Sequence, residues 1–153
     1  YRPFLDKVVE VVSAYRLGDP TDPKATLGPV VKTGAADFVR GQIDDAVADG
    51  ARSLIDPAHF PENKPGTPYL APQVLVDVTH DMRVMTEESF GPVIGIMAVD
   101  NDAQAVELMN DSDFGLTASI WTEAMTAAEA ISAQLDTGTC FANRGGCQLN
   151  HLW

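Results

Sequence analysis

The segment Val93-Ile94-Gly95-Ile96-Met97-Ala98-Val99 carries no polar side chain, and it constrains the fold more than any other part of the chain. Such a run falls far short of a membrane span. Read as a strand, it has apolar side chains pointing to both faces, which suits a strand covered on both sides, as in a parallel sheet. The residues around it repeat the same logic. Val74, Val76 and Val78 alternate along a second strand, Leu116–Trp121 and Thr139–Ala142 read as two more, and Ala51–Ile55 as a short one.

Helical patterns separate these strands. Phe4, Val8, Val11, Val12 and Tyr15 recur at helical spacing, and Gly18-Asp19-Pro20-Thr21-Asp22-Pro23 stops that helix. A second helix is expected from about Ala35 to Asp49, with Val39, Ile43, Ala46 and Val47 on its inner face and Gly50 as its stop. Asp100 or Asp102 is placed to cap a short helix with Val106 and Met109 inward. Thr122 is placed to cap another, with Ala127, Ala128, Ile131 and Leu135 on one side. The Pro-rich and Gly-rich stretch His59–Pro68 is a loop. Strand alternating with helix predicts an α/β fold: a layered parallel-sheet domain with flanking helices, spanning residues 1–153 as one domain.

Charge narrows the partners. Asp and Glu number 22 against 10 Lys and Arg, a formal net charge of −12 in 153 residues. Such a field repels phosphate backbones and anionic bilayers, so neither nucleic acid nor a membrane surface is an expected partner. Two cysteines, Cys140 and Cys147, are too few for a secreted disulfide framework and have no zinc spacing, which favours a reducing, cytoplasmic compartment and no metal. No Gly-rich phosphate loop is present. Tyr1 enters a helical pattern at once and the chain stops at His151-Leu152-Trp153, so both ends read as cut.

The stretch Glu87-Glu88-Ser89-Phe90-Gly91-Pro92-Val93 is the chemically suggestive one. Adjacent residues of an extended segment point to opposite sides, so the two carboxylates are badly placed to act as an acid/base pair on one substrate. Pro92 fixes its own φ and pushes Gly91 towards extended geometry, turning the chain into the strand that begins at Val93. The histidines His59, His80 and His151 sit without a base-and-orienter neighbourhood and read as surface groups. Cys140 reads as strand packing, Cys147 as an exposed thiol, and Phe114 and Trp121 as fillers of core or interdomain space.

These residues, with Leu17-Gly18-Asp19-Pro20, Leu27-Gly28-Pro29-Val30, Ala48-Asp49-Gly50-Ala51, Tyr69-Leu70-Ala71-Pro72, Asn110-Asp111-Ser112-Asp113-Phe114-Gly115-Leu116-Thr117-Ala118 and Thr137-Gly138-Thr139-Cys140-Phe141-Ala142-Asn143-Arg144, follow one another in the order and spacing of the aldehyde dehydrogenase superfamily. The chain resembles the C-terminal part of that family's catalytic domain over nearly its whole length. The resemblance implies a parent that is a homo-oligomer and oxidises a small-molecule aldehyde to a carboxylic acid, with NAD or NADP taking the hydride. It places the nucleophilic cysteine and the general-base glutamate upstream, so no catalytic residue is expected here and the isolated chain is expected to be inactive. It assigns cofactor binding to Glu88, whose carboxylate would accept hydrogen bonds from the nicotinamide-side ribose, and to Phe90, which would pack near the nicotinamide ring. Arg144 is left between meeting an acidic substrate and forming a surface ion pair. Residues 145–153 depart from the family pattern. The competing expectation is a non-enzymatic acidic interaction domain that keeps the scaffold.

Overall fold

A computed structural model describes residues 1–145. Cys147, His151 and the divergent segment from residue 146 onward lie outside the described residues. The chain divides into two compact units, Tyr1–Ala98 and Val99–Trp153, and both are mixed α/β.

The first unit opens with α1 (Arg2–Ser13), whose proline in the first turn costs no intrahelical hydrogen bond. Its buried face differs from expectation. Leu5 is buried and Val8, Val9 and Val12 pack on Leu17, Ile55, Phe60, Ala71 and Val74, whereas Phe4, Val11 and Tyr15 are exposed. Val8 and Val12 belong to both candidate stripes, so periodicity alone did not separate two faces one residue apart. The second helix, α2 (Thr33–Ala48), ends where predicted. Gly50 takes φ +110°, the Ala51 amide donates to the Ala46 carbonyl at 2.9 Å and the Gly50 amide to Val47 at 3.1 Å, which together satisfy two of the helix's last carbonyls.

Three strands follow: β1 (Arg52–Ser53), β2 (Gln73–Val76) and β3 (Val93–Gly95), in the spatial order β1-β2-β3. β2 and β3 are parallel, as the apolar run suggested, but β1 runs antiparallel to β2. All of β2 is buried, so it is the central strand on both faces. The β3 run is covered less than predicted. Its regular strand is only three residues long and Ile94 is half exposed, because β3 is an edge of this sheet and β2 is its one partner among the described residues. A short helix, α3 (Arg83–Thr86), makes the connection from β2 to β3.

The second unit holds α4 (Asp102–Asn110), β4 (Thr117–Ile120), α5 (Met125–Ser132) and β5 (Thr139–Ala142). β4 and β5 pair in parallel in a separate two-stranded sheet, with Thr117 opposite Thr139 and Ile120 opposite Ala142. The caps differ from those expected. Asn101, not Asp100 or Asp102, closes the start of α4 by accepting the Gln104 amide at 3.0 Å. Thr122 lies before α5 and accepts the Ala124 amide in a tight turn. Ala128 is the buried residue of α5, while Met109, Phe114 and Trp121 are exposed and so fill no core.

Candidate functional site

The turn from Glu87 to Pro92 joins α3 to β3, and both of its ends rest on one face of α2. At the near end, Gln42 Nε2 donates to Glu87 Oε2 at 3.2 Å. Arg83, one helical turn before Glu87, donates through Nε to both carboxylate oxygens at 3.1 and 3.2 Å and through Nη1 to Asp45 of α2. The guanidinium also lies 5.5 Å from the centre of the Phe38 ring. At the far end, Gly91 sits so close to Val39 that a Cβ there would fall 2.9 Å from Val39 Cγ2. The Gln73 amide donates to the Pro92 carbonyl at 2.8 Å, which ties the end of the turn into the sheet. Val39 and Gln42 are buried and three residues apart on α2, so one stripe of that helix seats both ends of the turn.

Between these anchors the chain stands away from α2. Glu88 is exposed, Ser89 half-buried, and Phe90 is 82% exposed with φ +45°, a left-handed backbone that a bulky residue adopts only where its surroundings impose it. Glu87 is committed to Gln42 and Arg83, and the hydrogen bond from Arg83 is the main reason its carboxyl is held below the ordinary carboxylate range, with the Gln42 amide adding to it and Asp45 opposing it. An exposed carboxylate at Glu88, acceptor-only when ionised, beside an exposed ring at Phe90, is a donor-and-surface set that fits a sugar diol next to a flat heterocycle. The turn lies at the amino end of β3, opposite the strand ends at which open parallel sheets most often bind ligands.

Other side chains named in the sequence are engaged elsewhere. Cys140 is a free, half-buried thiol within β5. Arg144 lies over the Phe141 ring at 4.8 Å, and its carbonyl accepts the Ser119 hydroxyl. Asn143 takes φ +54° and clasps the Thr122 backbone, accepting its amide and donating to its carbonyl, both at 2.9 Å. His59 is exposed at the end of a one-turn 3-10 helix. Among the described residues no group of three or more His, Cys, Asp or Glu is arranged to hold a metal, and no helix is long and apolar enough to cross a membrane.

Two side chains central to this geometry were not singled out in the sequence. Gln42 is fully buried although polar, and its position three residues after Val39 and four before Ala46 marks it as a polar intrusion on an apolar stripe. Arg83 stands four residues before Glu87, a spacing that brings opposite charges together on a helix.

Comparison with known proteins agrees with the motif series. The family model described as "Aldehyde dehydrogenase family" matches residues 1–151. A curated relative, succinate-semialdehyde dehydrogenase [NADP(+)] 1 of Mycobacterium ulcerans, is 37% identical over 143 residues, covering 94% of this chain and 31% of its own length. Among solved structures, the NADP-dependent glyceraldehyde-3-phosphate dehydrogenase of Bacillus halodurans, complexed with NADP, superposes with a TM-score of 0.87 at 36% identity, covering 99% of this chain and 30% of that one. The Mycobacterium tuberculosis aldehyde dehydrogenase complexed with NAD+ gives 0.87 at 32% identity, covering 96% and 30%. The chain thus spans about 30% of the length of the proteins it matches.

Proposed function

The chain belongs to the aldehyde dehydrogenase family, and from that premise we propose that it is the C-terminal part of the catalytic domain of an enzyme that oxidises an aldehyde to a carboxylic acid with NAD or NADP. The cofactor supplies the hydride acceptor. The contribution of this chain is to hold the nicotinamide end of that cofactor in place. Glu88 accepts hydrogen bonds from the two ribose hydroxyls, which a carboxylate does with both oxygens at once. Phe90 offers an apolar face beside the nicotinamide and limits its travel, a positioning effect that lowers the entropy cost of reaching the reactive geometry. Glu87 takes no part in proton transfer, its carboxylate being held by Arg83 and Gln42.

The observation that carries this reading is the arrangement of the turn: Glu88 and Phe90 are exposed between two anchors on α2, whereas Glu87, also exposed, is taken up by hydrogen bonds from Gln42 and Arg83. Nucleophile and general base are assigned to the remainder of the parent, in a homo-oligomer acting on a small-molecule aldehyde. Steady-state kinetics on the full-length protein test the proposal. Glu88→Gln is expected to raise the cofactor KM about tenfold or more, the weight of a hydrogen bond to a charged group, while this chain alone turns over no aldehyde. An unchanged KM, or robust turnover by the isolated chain, would overturn it.

A further inference from the structure

Gln42 presents a problem that the cofactor role of Glu88 does not solve. Its side chain is fully buried, Nε2 is spent on Glu87, and Oε1 has no hydrogen-bond partner among the described residues. A buried, half-satisfied amide costs stability, and an apolar side chain of the same shape would avoid that cost. Reversing the amide would not help, because it would set Oε1 against the Glu87 carboxylate. The amide is therefore held in its less stable setting by what it does for Glu87.

Resting on the cofactor-binding reading of Glu88, we propose that Gln42 and Arg83 are positioning residues: they clamp the Glu87 carboxylate to α2 and thereby fix the turn from which Glu88 and Phe90 meet the cofactor. Three observations support the clamp. Glu87 receives donors from two elements, Gln42 of α2 and Arg83 of α3, and Arg83 is itself tied back to α2 through Asp45. The opposite end of the turn has no polar anchor on α2, only the contact of Gly91 with Val39, so polar and steric fixation divide between the two ends. Finally, Phe90 holds a left-handed φ between the anchors, a conformation that a bulky residue keeps only where its surroundings impose it. Gln42 and Arg83 touch neither substrate nor cofactor in this account. They act through Glu87.

The test uses the full-length protein with three kinds of readout. In the cofactor-free protein, amide exchange of Glu87 and Gln73, whose protons bond to the Arg83 and Pro92 carbonyls at the two ends of the turn, should quicken several-fold in Gln42→Leu and in Arg83→Met. Thermal stability of Gln42→Leu should not fall, because the unpaired buried oxygen goes with the amide. Cofactor Kd, measured by calorimetry, should rise about three- to tenfold in Gln42→Leu, and in a Glu87→Ala background the same substitution should change Kd no further. Unchanged exchange overturns the clamp whether or not Glu88 binds ribose. A Kd that responds to Glu88→Gln but not to Gln42→Leu, or a Gln42 effect that persists in full without Glu87, also overturns it. If Glu88→Gln leaves Kd unchanged while exchange quickens, the cofactor reading fails and the clamp survives as a structural device.

Discussion

Glu87 and Glu88 have the same side chain and adjacent positions, yet their surroundings differ. Glu87 ends α3 within reach of Arg83 and Gln42, while Glu88 continues into an extended turn that faces solvent. The Glu87 carboxyl is depressed chiefly by its hydrogen bond from Arg83. A carboxylate with a lowered folded-state pKa stabilises the fold above its unfolded value, and that contribution disappears as pH falls through the folded value. Arg83→Met should therefore move the Glu87 titration midpoint, read by carboxyl-carbon NMR, back up towards the ordinary range, and acid unfolding should begin at higher pH; a midpoint that does not move would contradict the assigned cause. Phe90 gives a second prediction at this scale. Its φ of +45° favours asparagine, and its ring is mostly solvent-exposed. Phe90→Asn should leave urea stability unchanged or raise it by up to about 1 kcal/mol while weakening cofactor binding, whereas a clear loss of stability would mean that the ring packs in the fold. Strand alternation led to the expectation that the two carboxylates act apart, and the partners of Glu87 are in keeping with it. The burial of Gln42 was not, because a single polar residue within an apolar stripe gives no sign of the partner, here 45 residues away, that keeps it there.

Among the secondary-structure elements, α2 organises the site. Its buried stripe faces β2, β3 and the Glu87–Pro92 turn, and Gly91 lies close against Val39. Gly91→Ala should cost about 1–3 kcal/mol through overpacking. Combining it with Val39→Ala should cost less than the sum of the two single changes, as chemical denaturation would show; strict additivity would mean that the turn does not rest on that helix. Element identity was largely readable. The α2 stop at Gly50 and the β5 span Thr139–Ala142 follow from local chemistry. What failed was what depends on neighbours. The inward face of α1 was off by one residue, the antiparallel pairing of β1 was not foreseen, and the apolar run at Val93 proved to lie on a sheet edge rather than between two covered faces. A sequence states how apolar a strand is, but strand order decides what covers it.

At the scale of the whole molecule, two small α/β units expose apolar side chains that isolated soluble domains usually bury. Val31 is 89% exposed and Phe90 82% in one unit, and Leu116 is 84% exposed and Trp121 68% in the other. Exposed apolar surface of this kind favours association, so the isolated chain should bind a hydrophobic dye and self-associate with rising concentration in sedimentation velocity; a strictly monomeric, dye-silent chain would contradict this. The chain spans about 30% of the relatives it matches, and its proposed task within the larger enzyme is to hold the nicotinamide ribose. Calorimetric titration of the full-length protein tests that assignment most directly, comparing wild type with Glu88→Gln for two ligands: the complete dinucleotide, and adenosine diphosphate, which lacks the nicotinamide ribose. Affinity should fall about tenfold or more for the dinucleotide and stay unchanged for the adenosine half. Equal losses on both ligands, or no loss on either, would contradict it.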